Sequence, residues 1–288
     1  MATRPVAVAV DGSKSSLSAV EWAARTARLH GAPLRIVAAP SAAPAAYAVD
    51  GMEETTANAR RGIAARALGA AIGRAIAIAP DLDIRTALPS GSPPSAVAEA
   101  GRDAAILVVG AHGAGGDRAK LLGSVTSYAV AHAACPVVVV RGSTPARRHQ
   151  VVVGIQDGKQ SDDALAFALE EASARGAELT AVHAWSRCHE GLAIPAGDAP
   201  ARAAADLAES LDSWRGKYPE VRIRSQVVHG RTAWVLAQYS VSAELVVLGR
   251  SESPDGRDLT PIQHAVLSHA RGPVAVVPGE RGLTGLPA

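Results

Sequence analysis

Cysteine is scarce in this sequence. Cys135 and Cys188 are the only two, and they lie in different halves with no CxxC spacing, so neither a disulfide framework nor a structural zinc site is expected. Aromatic residues make up 3% of the chain, with a single phenylalanine, so the core has to be filled by aliphatic side chains and by alanines that let backbones approach closely. Long apolar runs are missing as well. Residues 104–109 and 136–140 fall far short of the roughly 20 residues that span a bilayer, and Pro40 and Pro44 break the alanine stretch at 38–49. No membrane helix and no membrane partner are expected. The opening MATRPVAVAV runs straight into Asp-Gly, a strand and a turn rather than a cleavable leader, which gives a cytoplasmic expectation. Trp22, Trp185, Trp214 and Trp234 are scattered, and the net charge is only +2, so nucleic acid is not an expected partner.

What is present is an ordinary globular balance, 48% hydrophobic and 19% charged over 288 residues, enough for two domains each with its own core. The charge is divided unevenly. Residues 1–148 carry 16 Lys and Arg against 10 Asp and Glu, and residues 149–288 carry 13 against 17, so an anion would prefer the first half.

The chain is one unit written twice. Short apolar strands alternate with alanine-rich helical stretches: strands at 6–10, 34–39, 82–87, 105–109 and 137–141, helices at about 15–29, 53–76, 93–100 and 124–132. The second half repeats the order, with strands at 151–155, 178–184, 221–228, 245–248 and 274–277 and helices at about 162–175, 199–214, 232–239 and 261–270. At an offset of 145, Val8 meets Val153 and Leu34 meets Leu179; at 137, Leu122, His132, Pro136 and Val140 meet Leu259, His269, Pro273 and Val277. Strands joined by helical crossovers imply parallel sheets covered on both faces. The fold class is therefore α/β, two tandem open doubly wound five-stranded parallel-sheet domains, at 1–142 and 149–280. Ligands in such sheets sit beyond the carboxyl ends of the strands where the strand order reverses, which points to the loops after the first and fourth strands.

The fourth strand runs into GAHGAGGDRAKLLGSVT, residues 110–126. Gly110, Gly113 and Gly123 mark places where the backbone passes close to something or takes a positive φ. Ser124 opens a helix, so its hydroxyl and the backbone N–H groups of Val125 and Thr126 face an anion arriving at the positive end of the helix dipole. The local chemistry suits a phosphate, and equally an ordinary glycine turn with a serine cap.

The spacing Gly110-x2-Gly113-x9-Gly123-Ser124 resembles the ATP-binding signature of the universal stress protein family, and Asp11-Gly12-Ser13 after the first strand resembles that family's opening motif. The closing GSVTSYAVAHAACPVVVV is similar to the family's last helix and strand, and the resemblance covers about 3–141 and 149–278. It implies the fold of the adenine-nucleotide alpha-hydrolase-like class, with ATP as the ligand of the first domain. Asp11 would lie against the nucleoside, the backbone around Ala39 would meet the adenine edge, Gly110 would approach the ribose, and Gly113, Gly123, Ser124, Val125 and Thr126 would cradle the phosphates. Family members often carry a basic residue just after the second glycine, where Ala114 stands here. Charge neutralisation would then fall to Arg118, to Lys120, or to a divalent metal such as Mg²⁺ or Mn²⁺.

The second copy departs from this pattern. Gln156 stands opposite Asp11, Glu252 opposite Gly113, and Thr260-Pro261 opposite Gly123-Ser124; Pro261 offers no N–H, and Glu252 with Asp255 would repel a polyphosphate. His183, Cys188, His189 and Glu190 lack the spacing of a metal site, and His112 reads either as a ligand contact or as a solvent-facing loop residue. The resemblance implies a nucleotide-dependent stress-response regulator with a protein partner still to be identified; a slow ATPase, against which stand the single plausible carboxylate and the missing Walker lysine, and a nucleotide-free partner-binding module are the alternatives. The apolar fifth strands, at 136–140 and 273–277, are edges that need cover. The expectation is an intramolecular pseudo-dimer docked through them, with any homodimer using another surface.

Overall fold

The valine-rich runs of the first half become parallel strands. In the computed structural model, which describes residues 3–38, 53–89, 92–113, 122–142, 149–155, 160–186, 188–189, 192–193, 199–251 and 259–279, the chain divides into two compact units. The first contains β1 (Val6–Val10), α1 (Lys14–Leu29), β2 (Leu34–Ala38), α2 (Glu53–Ile78), β3 (Ile84–Ala87), α3 (Pro93–Ala100), β4 (Ile106–Gly110), α4 (Ser124–His132) and β5 (Val137–Val140). Its strands are all parallel in the order β3-β2-β1-β4-β5, with Val6 beside Leu34 on one side and Ile106 on the other. The chain leaves β1 toward β2 in one direction and reaches β4 in the other, so a crevice opens at the carboxyl ends of β1 and β4. Every residue of β1, β4 and β5 is buried, which is why these strands read as unbroken apolar runs.

Alanine does the packing that aromatic residues do elsewhere. On α2, Ala64, Ala67, Ala71 and Ala75 recur at helical spacing and are all buried, so this helix lies close on β2 and α1. α1 buries Ala19, Val20, Ala23, Ala24 and Ala27 on the face turned to the sheet.

The second unit repeats the plan: β6 (Gln150–Gly154), α5 (Gln160–Arg175), β7 (Glu178–Trp185), β8 (Cys188–His189), β9 (Leu192–Ala193), α6 (Ala199–Lys217), β10 (Ile223–His229), α7 (Thr232–Tyr239), β11 (Leu245–Gly249), α8 (Pro261–His269) and β12 (Val274–Val277). Its parallel strands run β10-β7-β6-β11-β12. Even the turns repeat: Gly31 (φ 59°) and Gly176 (φ 61°), one offset of 145 apart, end α1 and α5 in the left-handed conformation that a Cβ disfavours.

The differences from the sequence reading have local causes. A turn in which Leu82 N–H bonds the Ala79 carbonyl delays β3 to residue 84. α6 continues past Trp214 to Lys217, whose ammonium sits 4.5 Å over the Trp214 ring. β8 and β9 form a short antiparallel pair where a loop was expected. The second unit also holds a buried ion pair, Arg175 with Glu171, at positions where the first copy has His30 and Thr26; Glu244 stands 3.8 Å from the same guanidinium. Among the described residues no helix is long and apolar enough to cross a membrane.

Candidate functional site

At the carboxyl end of β1, Asp11 makes the turn into α1. Its Oδ1 accepts the N–H of Ser13 at 3.0 Å, and Ser13 in turn caps α1 by accepting the N–H of Ser16 at 3.1 Å. The other carboxylate oxygen reaches across the crevice: a Cβ placed on Gly113 would lie 2.9 Å from Asp11 Oδ2. Asp11 therefore occupies the space that any side chain at 113 would need.

From β4 the chain is tied back repeatedly. Ala111 donates to the Val140 carbonyl and accepts from the N–H of Gly123, both at 3.0 Å. Thr126, buried in the first turn of α4, donates its hydroxyl to the Gly110 carbonyl at 2.7 Å. A Cβ on Gly123 would lie 3.5 Å from Ala111 O and from Thr126 Oγ1, and 3.7 Å from Gly113 N. So Asp11, Gly110, Gly113, Gly123 and Thr126 are gathered at one end of the sheet, with Ser124 and Val125 following on α4. Ala39 lies outside the described residues.

The three glycines are glycines for different reasons. A Cβ on Gly110 would come within 2.7–2.9 Å of Ser15, including its backbone, so the strand end is pressed against the first turn of α1. The protein itself makes the close approach there. Gly113 makes room for Asp11. Gly123 has no neighbour closer than an ordinary contact, and none of the three takes a positive φ.

Gly123 is also the N-cap of α4 and, having no side chain, gives no cap hydrogen bond; the first helical bond runs from Ser127 N–H to the Gly123 carbonyl. The N–H groups of Ser124, Val125 and Thr126 thus have no helical acceptor and point out of the helix start. Ser124 is exposed, while the Thr126 hydroxyl is committed to Gly110 and leaves only its N–H for a ligand.

The second unit closes the equivalent place with its own side chains. At the start of α8, Thr260 Oγ1 accepts the N–H of Gln263 at 3.3 Å and Gln263 Oε1 accepts the N–H of Thr260 at 3.1 Å, a complete capping box. Gln263 Nε2 then donates to the Gly249 carbonyl at 2.9 Å, the bond that Thr126 makes to Gly110 in the first unit. Pro261 removes one further donor. Gln156, Glu252 and Asp255 lie outside the described residues.

Two features escaped the sequence reading. Ser15 and Ser16 knit α1 to the glycine turn: His112 N–H donates to Ser15 Oγ at 3.4 Å, and Ser16 Oγ donates to the Ser13 carbonyl at 2.9 Å. A run of serines opening a helix after Asp-Gly was the available signal. Arg141, one residue past β5, donates to Nε2 of His112 at 3.4 Å, a pairing across 29 residues that no local pattern announces. Burial, and after it the Arg141 guanidinium, hold the His112 imidazole below its ordinary range, and burial lowers Arg141 itself.

Comparison with known proteins fits this frame. A sequence model described as the Universal stress protein family matches residues 2–141 and again 147–278. The chain is 37% identical over 284 residues to Universal stress protein Rv2005c of Mycobacterium tuberculosis, covering 94% of this chain and 96% of that protein. It is 34% identical over 256 residues to Universal stress protein Rv2623 of the same organism, covering 85% of each. In fold it is similar to the crystal structure of a universal stress protein from Archaeoglobus fulgidus, with a TM-score of 0.75 at 16% identity, covering 96% of this chain and 99% of that one. With its family pattern matched twice in tandem and its relatives alike over nearly their whole length, the chain belongs to the Universal stress protein family.

Proposed function

We propose that the first unit binds an adenine nucleotide, ATP, at the carboxyl ends of β1 and β4, and that its occupancy sets the protein's contacts with a partner in a stress response. Family membership supports the stress-response role. The nucleotide reading is carried by one contrast: the start of α4 has no capping side chain, whereas the start of α8 is closed by Thr260 and Gln263. An uncapped helix start, with aligned N–H groups and the positive end of the dipole, suits a phosphate.

The residues present fit the group. Gly123 leaves the α4 N–H groups accessible, with ordinary space where its Cβ would stand. Ser124, Val125 and Thr126 would supply donors to phosphate oxygens, and Asp11 a carboxylate for hydroxyls of the nucleoside. The nucleotide would bring polyphosphate charge, which suits the more basic half of the chain. Titration calorimetry with ATP, ADP and AMP on the wild-type chain and on Gly123→Glu tests the proposal. Binding by the wild type that is lost in a folded Gly123→Glu supports it; equal affinities refute it.

A further inference from the structure

Between Gly110 and Gly113 stands a histidine fixed at three atoms. Its N–H donates to Ser15 Oγ at 3.4 Å, its carbonyl accepts from Ser13 Oγ at 3.5 Å, and its Nε2 faces Arg141 Nη1 at 3.4 Å. A guanidinium can only donate, so Nε2 must present its lone pair, and the single proton of the neutral ring sits on Nδ1. That Nδ1–H has no acceptor among the described residues. The donor stands in the glycine turn, partly exposed and with its tautomer set by a neighbour, and is open to a partner beyond the described protein groups.

We propose that His112 Nδ1–H is a further donor to the phosphates of the nucleotide, and that Arg141 is the positioning residue that fixes its tautomer and adds positive charge beside the turn. The inference rests on the nucleotide reading above. Arg141 brings a positive charge to a turn in which the uncharged Ala114 follows Gly113.

Among the described residues, Arg141 is the group whose side chain meets the ring. Asp11, from the end of β1, has Oδ1 on the Ser13 N–H and Oδ2 toward Gly113. Lys14, from α1, lines the groove between α1 and α2 with Ser18, Glu21 and Arg74. From the first turn of α4 comes Thr126, which is neutral and bonded to Gly110. Burial, and after it the Arg141 guanidinium, keep the imidazole of the free chain neutral where an unperturbed histidine would begin to protonate.

Two measurements test this. Long-range proton–nitrogen NMR of the imidazole in the free chain should show the Nδ1–H tautomer and a pKa below the ordinary 6.5 or so. Arg141→Met should abolish that tautomer preference and raise the pKa; Arg141→Gln, which keeps an N–H donor without the charge, should raise the pKa while keeping the tautomer, and serves also if Arg141→Met does not fold. In calorimetry, His112→Ala should weaken ATP binding about ten- to hundredfold, the worth of one hydrogen bond to a charged acceptor. In Arg141→Met, ATP should bind more tightly at pH 6 than at pH 8, taken relative to Arg141→Met/His112→Ala so that titration of the nucleotide cancels. An Nε2–H tautomer in the free wild type, or wild-type ATP affinity in His112→Ala, overturns this proposal alone. Absence of ATP binding by the wild type overturns the nucleotide reading, and the phosphate role with it.

Discussion

The Thr126 hydroxyl donates to the Gly110 carbonyl at 2.7 Å, a bond that pins the start of α4 to the end of β4. Thr126 is buried, so Thr126→Val keeps the shape but strands the carbonyl. The expected cost is about 1–3 kcal/mol of stability, read by chemical denaturation. A variant as stable as the wild type would show that the bond contributes nothing.

The two outer glycines of the motif should respond differently. Gly110→Ala sets a methyl group within 2.9 Å of Ser15 backbone atoms, so α1 must shift, at a cost of roughly 1–3 kcal/mol. Gly123→Ala meets nothing closer than 3.5 Å and should cost no more than about 1 kcal/mol. Thermal melts of the two variants, measured side by side, check the order; the reverse order contradicts the packing described.

One nucleotide should bind per chain. The second unit fills its helix start with Thr260 and Gln263, and Gln263 is buried with both ends of its amide engaged. Calorimetric stoichiometry near one is expected, and a value near two contradicts the assignment.

The buried pair of the second unit offers a separate test. Glu171→Leu takes the nearer carboxylate from the Arg175 guanidinium, which is 6% exposed and has Glu244 at 3.8 Å, and should destabilise by about 3–5 kcal/mol. Glu171→Leu combined with Arg175→Met removes both charges and should recover most of that loss. Equal destabilisation in the single and double variants would mean that packing rather than charge is at stake.

The strands were legible because burial on both faces leaves them no alternation: VVVV at 137–140 and ILVV at 106–109 could hardly be anything else in an alternating α/β chain. The repeat was legible through offsets, down to the matching glycines that end α1 and α5. What sequence could not supply was the partner of each polar atom. Asp11 and Gly113 are 102 residues apart, and nothing local says that one fills the space the other leaves. Gln263 looked like any polar residue on a helix; only the three-residue spacing from Thr260 hinted at the capping box. The β8–β9 pair was missed because two-residue strands carry no periodicity.

A nucleotide at the open start of α4 would tie folding to solute. On the nucleotide reading, donors that no side chain caps at the start of α4 would gain acceptors when a phosphate arrives, and a ligand that binds only the folded form stabilises it by RT ln(1 + [L]/Kd), roughly 2.7 kcal/mol at a hundred times Kd. The capped start of α8 offers no such linkage. With rising nucleotide concentration, slowed amide exchange would then begin in the first unit, and the half of the chain that protease reaches first would depend on how much ATP is present.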